Sequence, residues 1–219
     1  MLVKDFITEE LPVLKSYDTS KYALALMDDY KLRHLPWVDD NLYRGLVSEK
    51  ELLASPNLSL ASGNFVFPPL SVREDASVYE VLKMITLHRL SLLPVVDAEG
   101  GYRGAVTLDK LTDVLSELCH AGTTGSVLVL ELASRDYSLA DVARIVEANH
   151  AHILSSFSHT EPETGRLYLM IKIDLEDASP VIRSFERFDY TVLYHFMERG
   201  QVDELLQWRM AEVLRYMDI

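Results

Sequence analysis

The chain has 219 residues, 48% of them hydrophobic, with a mean hydropathy of +0.04. These values describe one or two soluble globular cores and exclude a disordered chain. Net charge is −13 with acids spread along the whole length, so no basic stripe exists for nucleic acid or for an anionic membrane.

No apolar run reaches the roughly 18–20 residues that span a bilayer. The opening, Met1-Leu-Val-Lys-Asp-Phe-Ile-Thr-Glu-Glu10, places acids where a signal peptide continues its apolar stretch. The expectation is a cytoplasmic protein with no membrane partner. The only cysteine, Cys119, forms no intrachain disulfide and reads as a small packed hydrophobe.

In chain order, the first feature is an internal repeat. Asp18-Thr-Ser-Lys-Tyr-Ala-Leu recurs as Asp75-Ala-Ser-Val-Tyr-Glu-Val. Leu35-Pro-Trp-Val-Asp39 recurs as Leu93-Pro-Val-Val-Asp97. Tyr43-Arg-Gly-Leu-Val-Ser48 recurs as Tyr102-Arg-Gly-Ala-Val-Thr107. The spacing grows by one residue at each block, as loops allow. Asp18 and Asp75 are candidate N-caps, with nearby Thr and Ser hydroxyls as alternatives. Helical spacing follows over 22–27 and 78–87. Each Leu-Pro run predicts a strand with proline at its first residue, then a turn and a second strand. Ser48 and Thr107 then cap second helices over 49–54 and 109–118. Leading extended segments lie around Val13-Leu14 and Leu70-Ser-Val72. A connector carries the apolar patch Phe65-Val-Phe67, and the glycines of His120-Ala-Gly-Thr-Thr-Gly125 mark a boundary.

Beyond that boundary the rhythm changes. An apolar strand is predicted over 126–132, then a helix over 139–148 capped by Ser138. Strands over 153–158 and 167–174 flank the turn Glu161-Pro-Glu-Thr-Gly165. A helix opens at Ser179-Pro180, and a strand spans 192–196. This βαββαβ order is ferredoxin-like. A terminal amphipathic helix over 200–219 lines up Val202, Leu205, Leu206, Met210, Val213, Leu214 and Met217.

The repeated blocks resemble CBS domains. The matching motif is Leu-Pro-h-Val-Asp, a turn, Gly-h-Val-Ser/Thr and a helix, and two copies stand in register over residues 1–121 (repeats at about 1–58 and 65–121). The last part, residues 126–197, resembles an ACT domain. The fold class is therefore α+β: an intramolecular CBS pair, a ferredoxin-like ACT-like domain and a terminal helix.

The CBS resemblance implies an adenosine ligand such as AMP, ADP or ATP in a cleft between repeats, and a regulatory role without catalysis. In that family a hydroxyl caps a helix and an aspartate three residues on accepts the ribose hydroxyls. Ser48 and Thr107 match the hydroxyl. Glu51 stands at the acid position of the first repeat; Lys110 stands there in the second, with Asp109 one residue early. Arg33 and His34 match a place where the family contacts phosphate. The expected nucleotide-binding residues are Ser48, Glu51, Arg33, His34, Thr107 and Asp109. ACT domains bind amino acids at a glycine-bearing turn. Ala133–Ser138 has no glycine, so self-association into a homodimer is the better expectation. The alternative is a structural homodimer with degenerate, ligand-free clefts.

No nucleophile elbow, phosphate loop, zinc-protease motif or dinucleotide fingerprint occurs. His150-Ala-His152 lacks further ligands, so no metal is expected. No cofactor is required beyond the adenine nucleotide ligand, and the regulated protein partner is not named by any motif.

Overall fold

Thr19 and Ser77, one and two residues after the expected aspartates, cap the first helix of each repeat. Thr19 Oγ1 accepts from Tyr22 N at 3.2 Å and Ser77 Oγ accepts from Glu80 N at 3.4 Å. They start α1 (Ser20–Tyr30) and α3 (Val78–His88) from extended backbone, the geometry an N-cap requires. Asp18 instead accepts from Lys15 N at 2.8 Å within a turn, and Asp75 pairs with exposed Arg73. With Thr19 and Ser77 as the caps, the two helices stand in one register with the strands after them.

The computed structural model describes residues 1–54, 59 and 69–197. The Phe65–Phe67 patch and the helix expected over 200–219 lie outside the described residues. The chain divides into two units, Met1–Val114 and Leu115–Ile219.

In the first unit each repeat builds a hairpin. β1 (His34–Asp39) pairs antiparallel with β2 (Leu42–Ser48). After β3 (Val72–Arg73), β4 (Leu92–Val96) pairs antiparallel with β5 (Tyr102–Thr107). The register shifts between Trp37 and Val38, and again between Val95 and Val96, so even the irregularity is repeated. Leu14 bridges Trp37 in parallel as Val72 bridges Val95. Pro36 and Pro94 stand third in their strands, not first as expected. Their parallel neighbours are too short to require the missing N–H. The helices α2 (Glu49–Ala54) and α4 (Leu108–Leu118) close the repeats. Leu14, Ala23, Met27, Leu35, Val47 and Leu52 form the first core.

The hairpin turns and the N-terminal segment both join the repeats. The hairpin turns exchange backbone bonds, Tyr43 N to Gly100 O at 3.1 Å and Tyr102 N to Asn41 O at 2.8 Å. The N-terminal segment crosses to the second repeat: Val3 N donates to Ala76 O, and Thr8 and Ala105 exchange both backbone bonds. Gly104 makes room for this crossing. A Cβ there would sit 2.5 Å from Ile7 Cγ2 and 2.8 Å from Thr8 O, and its φ is +132°, a region that favours glycine.

The second unit holds β6 (Ser126–Ala133), α5 (Leu139–Glu147), β7 (Ile153–Thr160), β8 (Arg166–Ile173), α6 (Ser179–Arg187) and β9 (Thr191–Phe196). The sheet order is β7-β8-β6-β9 and every neighbouring pair is antiparallel. This is the ferredoxin-like arrangement, with the last strand beside the first. Ser138 caps α5 by accepting from Asp141 N at 3.2 Å. Leu128, Leu130, Leu169 and Ile171 meet Val142, Val146, Val181 and Phe185 in one core.

Candidate functional site

The pairing of β1 with β2 sets His34 opposite Ser48, and Glu49 N donates to Arg33 O at 2.9 Å. Four of the expected residues, Arg33, His34, Ser48 and Glu51, therefore gather where α2 leaves the first hairpin. Ser48 and Glu51 form a capping box. Glu51 N donates to Ser48 Oγ at 3.3 Å, while Glu51 Oε2 accepts from Ser48 N at 3.1 Å and from Ser48 Oγ at 2.6 Å. Both bonds fall on Oε2. Among the described residues no hydrogen bond reaches Oε1, which keeps its capacity to accept from an incoming hydroxyl.

His34 is turned toward the other repeat. Its Nδ1 accepts from Ser91 N at 3.2 Å and lies 3.1 Å from Ser91 Oγ. Ser91 Oγ also accepts from Arg33 N at 3.0 Å. Burial, helped by the charge of Arg33 and opposed by Glu51, holds the His34 pKa below its ordinary value. With Nδ1 accepting from Ser91 N, the ring proton in this geometry sits on Nε2. Arg33 is exposed, and its guanidinium makes no ion pair among the described residues.

The second repeat differs. Thr107 Oγ1 accepts from Lys110 N at 3.1 Å and Leu108 N donates to Ser91 O at 3.0 Å, so the cap and backbone geometry are repeated. Half-buried Lys110 replaces the acid, and Asp109 is exposed. The second site can anchor a helix but offers no carboxylate in the place where Glu51 stands.

Ser91 does not stand out by residue type alone. The available signal is the mismatch of Leu32-Arg-His with Leu90-Ser-Leu. A hydroxyl replaces the arginine at the position where the two copies face each other. The aspartates of the two Leu-Pro motifs are structural. Asp39 accepts from Ser16 and from Trp37 Nε1, the latter at 2.7 Å. Asp97 accepts from Gly101 N at 2.7 Å and from Glu99 N at 3.0 Å.

Comparison with known proteins bears on the first unit. The model of the CBS domain matches residues 3–56 and 66–117. The uncharacterized protein YlbB of Bacillus subtilis (strain 168) is 30% identical over 118 residues, 50% of this chain and 79% of that protein. A CBS domain pair/ACT domain protein from Thermotoga maritima is 28% identical with a TM-score of 0.48, over 53% of this chain and 98% of its own. A putative acetoin utilization protein (AcuB) from Vibrio cholerae is 27% identical with a TM-score of 0.47, over 56% of this chain and 96% of its own. No described helix is long and apolar enough to cross a membrane.

Proposed function

Because the chain belongs to the CBS-domain family, carrying two copies in tandem, we propose that it is a non-catalytic regulatory module that holds one adenosine ligand beside its first repeat. The observation that carries this reading is the Ser48–Glu51 box, in which no hydrogen bond from the described residues reaches Oε1. A carboxylate already fixed by its own helix cap needs no reorganisation to accept a ribose hydroxyl, which lowers the ordering cost of binding. The exposed guanidinium of Arg33, two residues before the repeated Leu-Pro, is the phosphate partner. His34 joins this group to Ser91 of the second repeat. A ligand bound here therefore acts on the junction of the repeats, and it shifts any equilibrium there by its difference in affinity for the two states. The ligand is the only small molecule the module needs. Its target is another protein, and the ferredoxin-like unit, read as an ACT-like domain, serves pairing into a cytoplasmic homodimer.

Lys110 favours a second reading, a structural homodimer whose clefts hold nothing. The two are separated by isothermal titration of the full chain with AMP, ADP, ATP and S-adenosylmethionine. The regulatory reading expects one ligand per chain with a micromolar Kd. Glu51→Lys, which copies the second repeat into the first, should weaken it at least ten-fold, about 1.4 kcal/mol. Lys110→Glu should raise the stoichiometry toward two. No heat with any of the four up to about 1 mM, a binding free energy near −4 kcal/mol, overturns the regulatory reading in favour of the structural one.

A further inference from the structure

Alternation along β8 buries Leu169, Ile171 and Ile173 in the core with α5 and α6 and turns Lys172 to the other face of the sheet. There Ser155 of β7 and Val127 of β6 flank it, and Phe196 of β9 stands beside Val127. The segment after α4 lies along this row. Ser155 Oγ donates to Cys119 O at 3.2 Å. Gly125 settles against the end of β8, where a Cβ would overlap Ile173 O, and its φ is +150°, a value that favours glycine. Between the segment and the row lies a cavity of about 220 Å³, lined by Thr123, Val127, Lys172, Phe196 and Met197 among others. Lys172 is half-buried. Among the described residues its ammonium makes neither an ion pair nor a hydrogen bond, in a chain of net charge −13. Asp174, two residues on, is held by His152 at 2.7 Å, and no described aspartate or glutamate lines the cavity. A partly desolvated cation is stabilised by an anion placed against it.

We propose that this cavity binds a small organic acid, with its carboxylate on Lys172 and its short apolar body against Val127, Phe196 and Met197. Size sets the first limit. The volume equals that of about seven liquid waters, so the ligand has about seven non-hydrogen atoms, far fewer than a nucleotide. The lining sets the second. An inorganic anion would desolvate against Val127, Phe196 and Met197 and gain nothing from them, whereas an alkyl chain buries apolar area there. An amino acid would bring an ammonium that finds no carboxylate in the lining and stands near the like charge of Lys172. The site lies at the other end of β6 from the Ala133–Ser138 turn, and it does not rest on the adenosine reading of the first unit.

The test titrates the full chain with acetate, valerate, norvaline (valerate with an added ammonium) and inorganic phosphate, followed by its amide NMR spectrum. Valerate should shift the amides of Thr123, Val127 and Lys172 with a Kd of about 1 mM or below. It should bind at least about ten-fold more tightly than acetate, since each added methylene contributes up to about four-fold when buried. Norvaline and phosphate should bind more weakly than valerate. Lys172→Met, which keeps the apolar stem, should weaken valerate about ten-fold or more, and Lys172→Arg, which keeps the charge, should retain most of the affinity. Glu51→Lys should leave valerate binding unchanged, which separates this site from the adenosine site. No shift at those amides up to about 10 mM valerate, or equal affinity in Lys172→Met, overturns the proposal. Tighter binding of phosphate overturns it in favour of an inorganic anion, and tighter binding of norvaline overturns it in favour of an amino acid.

Discussion

At Ser91 one hydroxyl and one amide hold both Arg33 and His34 of the other repeat. The consequence is a pH dependence. Burial, with Arg33 adding to it, lowers the folded pKa of His34, while the unfolded chain keeps a value near 6.5. Above that value neither state binds the proton and the contact with Ser91 contributes in full. As pH falls below about 6.5 the unfolded state takes up the proton first, so stability is lost until pH passes the folded pKa. Urea midpoints at pH 8 and pH 5 should therefore fall further apart in the parent than in His34→Leu. That variant copies Leu92, the residue at the same place in the second repeat. An equal fall in both proteins would show that His34 carries none of it. Glu51 acts in the opposite sense on His34, so neutralising Glu51 should enlarge the acid loss.

Among the elements, the capped helices show what each residue type does. Aspartate and serine or threonine stand close together before α1 and α3, and both residue types are good caps. The choice falls on the hydroxyls because they occupy the last extended position, where the side chain reaches the third amide of the helix. Thr19→Ala and Ser77→Ala should each cost about 1 kcal/mol in chemical denaturation. Asp75→Ala should cost far less, since Asp75 makes only an exposed ion pair with Arg73, and solvent screens such pairs. If the ordering were reversed, the aspartates would be the true caps. The elements themselves were legible. Both hairpins and the βαββαβ order follow from alternation, turn residues and helical spacing. The third-place prolines escape that kind of reading, because a strand pattern does not say which of its backbone groups a neighbour will need.

For the whole molecule, each of the two units encloses buried apolar residues of its own. Leu14, Met27, Leu35 and Leu52 lie in the first, and Leu128, Leu169, Ile171 and Phe185 in the second. A fragment of residues 1–121 should therefore melt cooperatively by circular dichroism, with Gly104 and the crossing segment 2–8 intact. A non-cooperative melt would mean that the first core depends on residues 122–219. The crossing itself, from the start of the chain to Ala76 and Ala105, was not legible. Residues 2–8 carry no repeat of the motif, and a backbone exchange across two repeats leaves no mark in side-chain pattern except a glycine at the point of closest approach.

The sequence by itself determined the tandem repeat, the family, the α+β class and the Ser48-x-x-Glu51 spacing, because these rest on local periodicity and on hydrophobic patterning that any fold must respect. The structure decided three further things, of which the Ser91 contact is tertiary and the other two are local geometry. It set which hydroxyls cap the helices, it made Ser91 the partner of His34, and it directed both Ser48 bonds onto one oxygen of Glu51. The Ser91 contact joins residues 57 apart in the chain, so spacing carries no record of it; the caps and the Ser48–Glu51 bonds are local, and they turn on backbone and side-chain angles that residue spacing does not state.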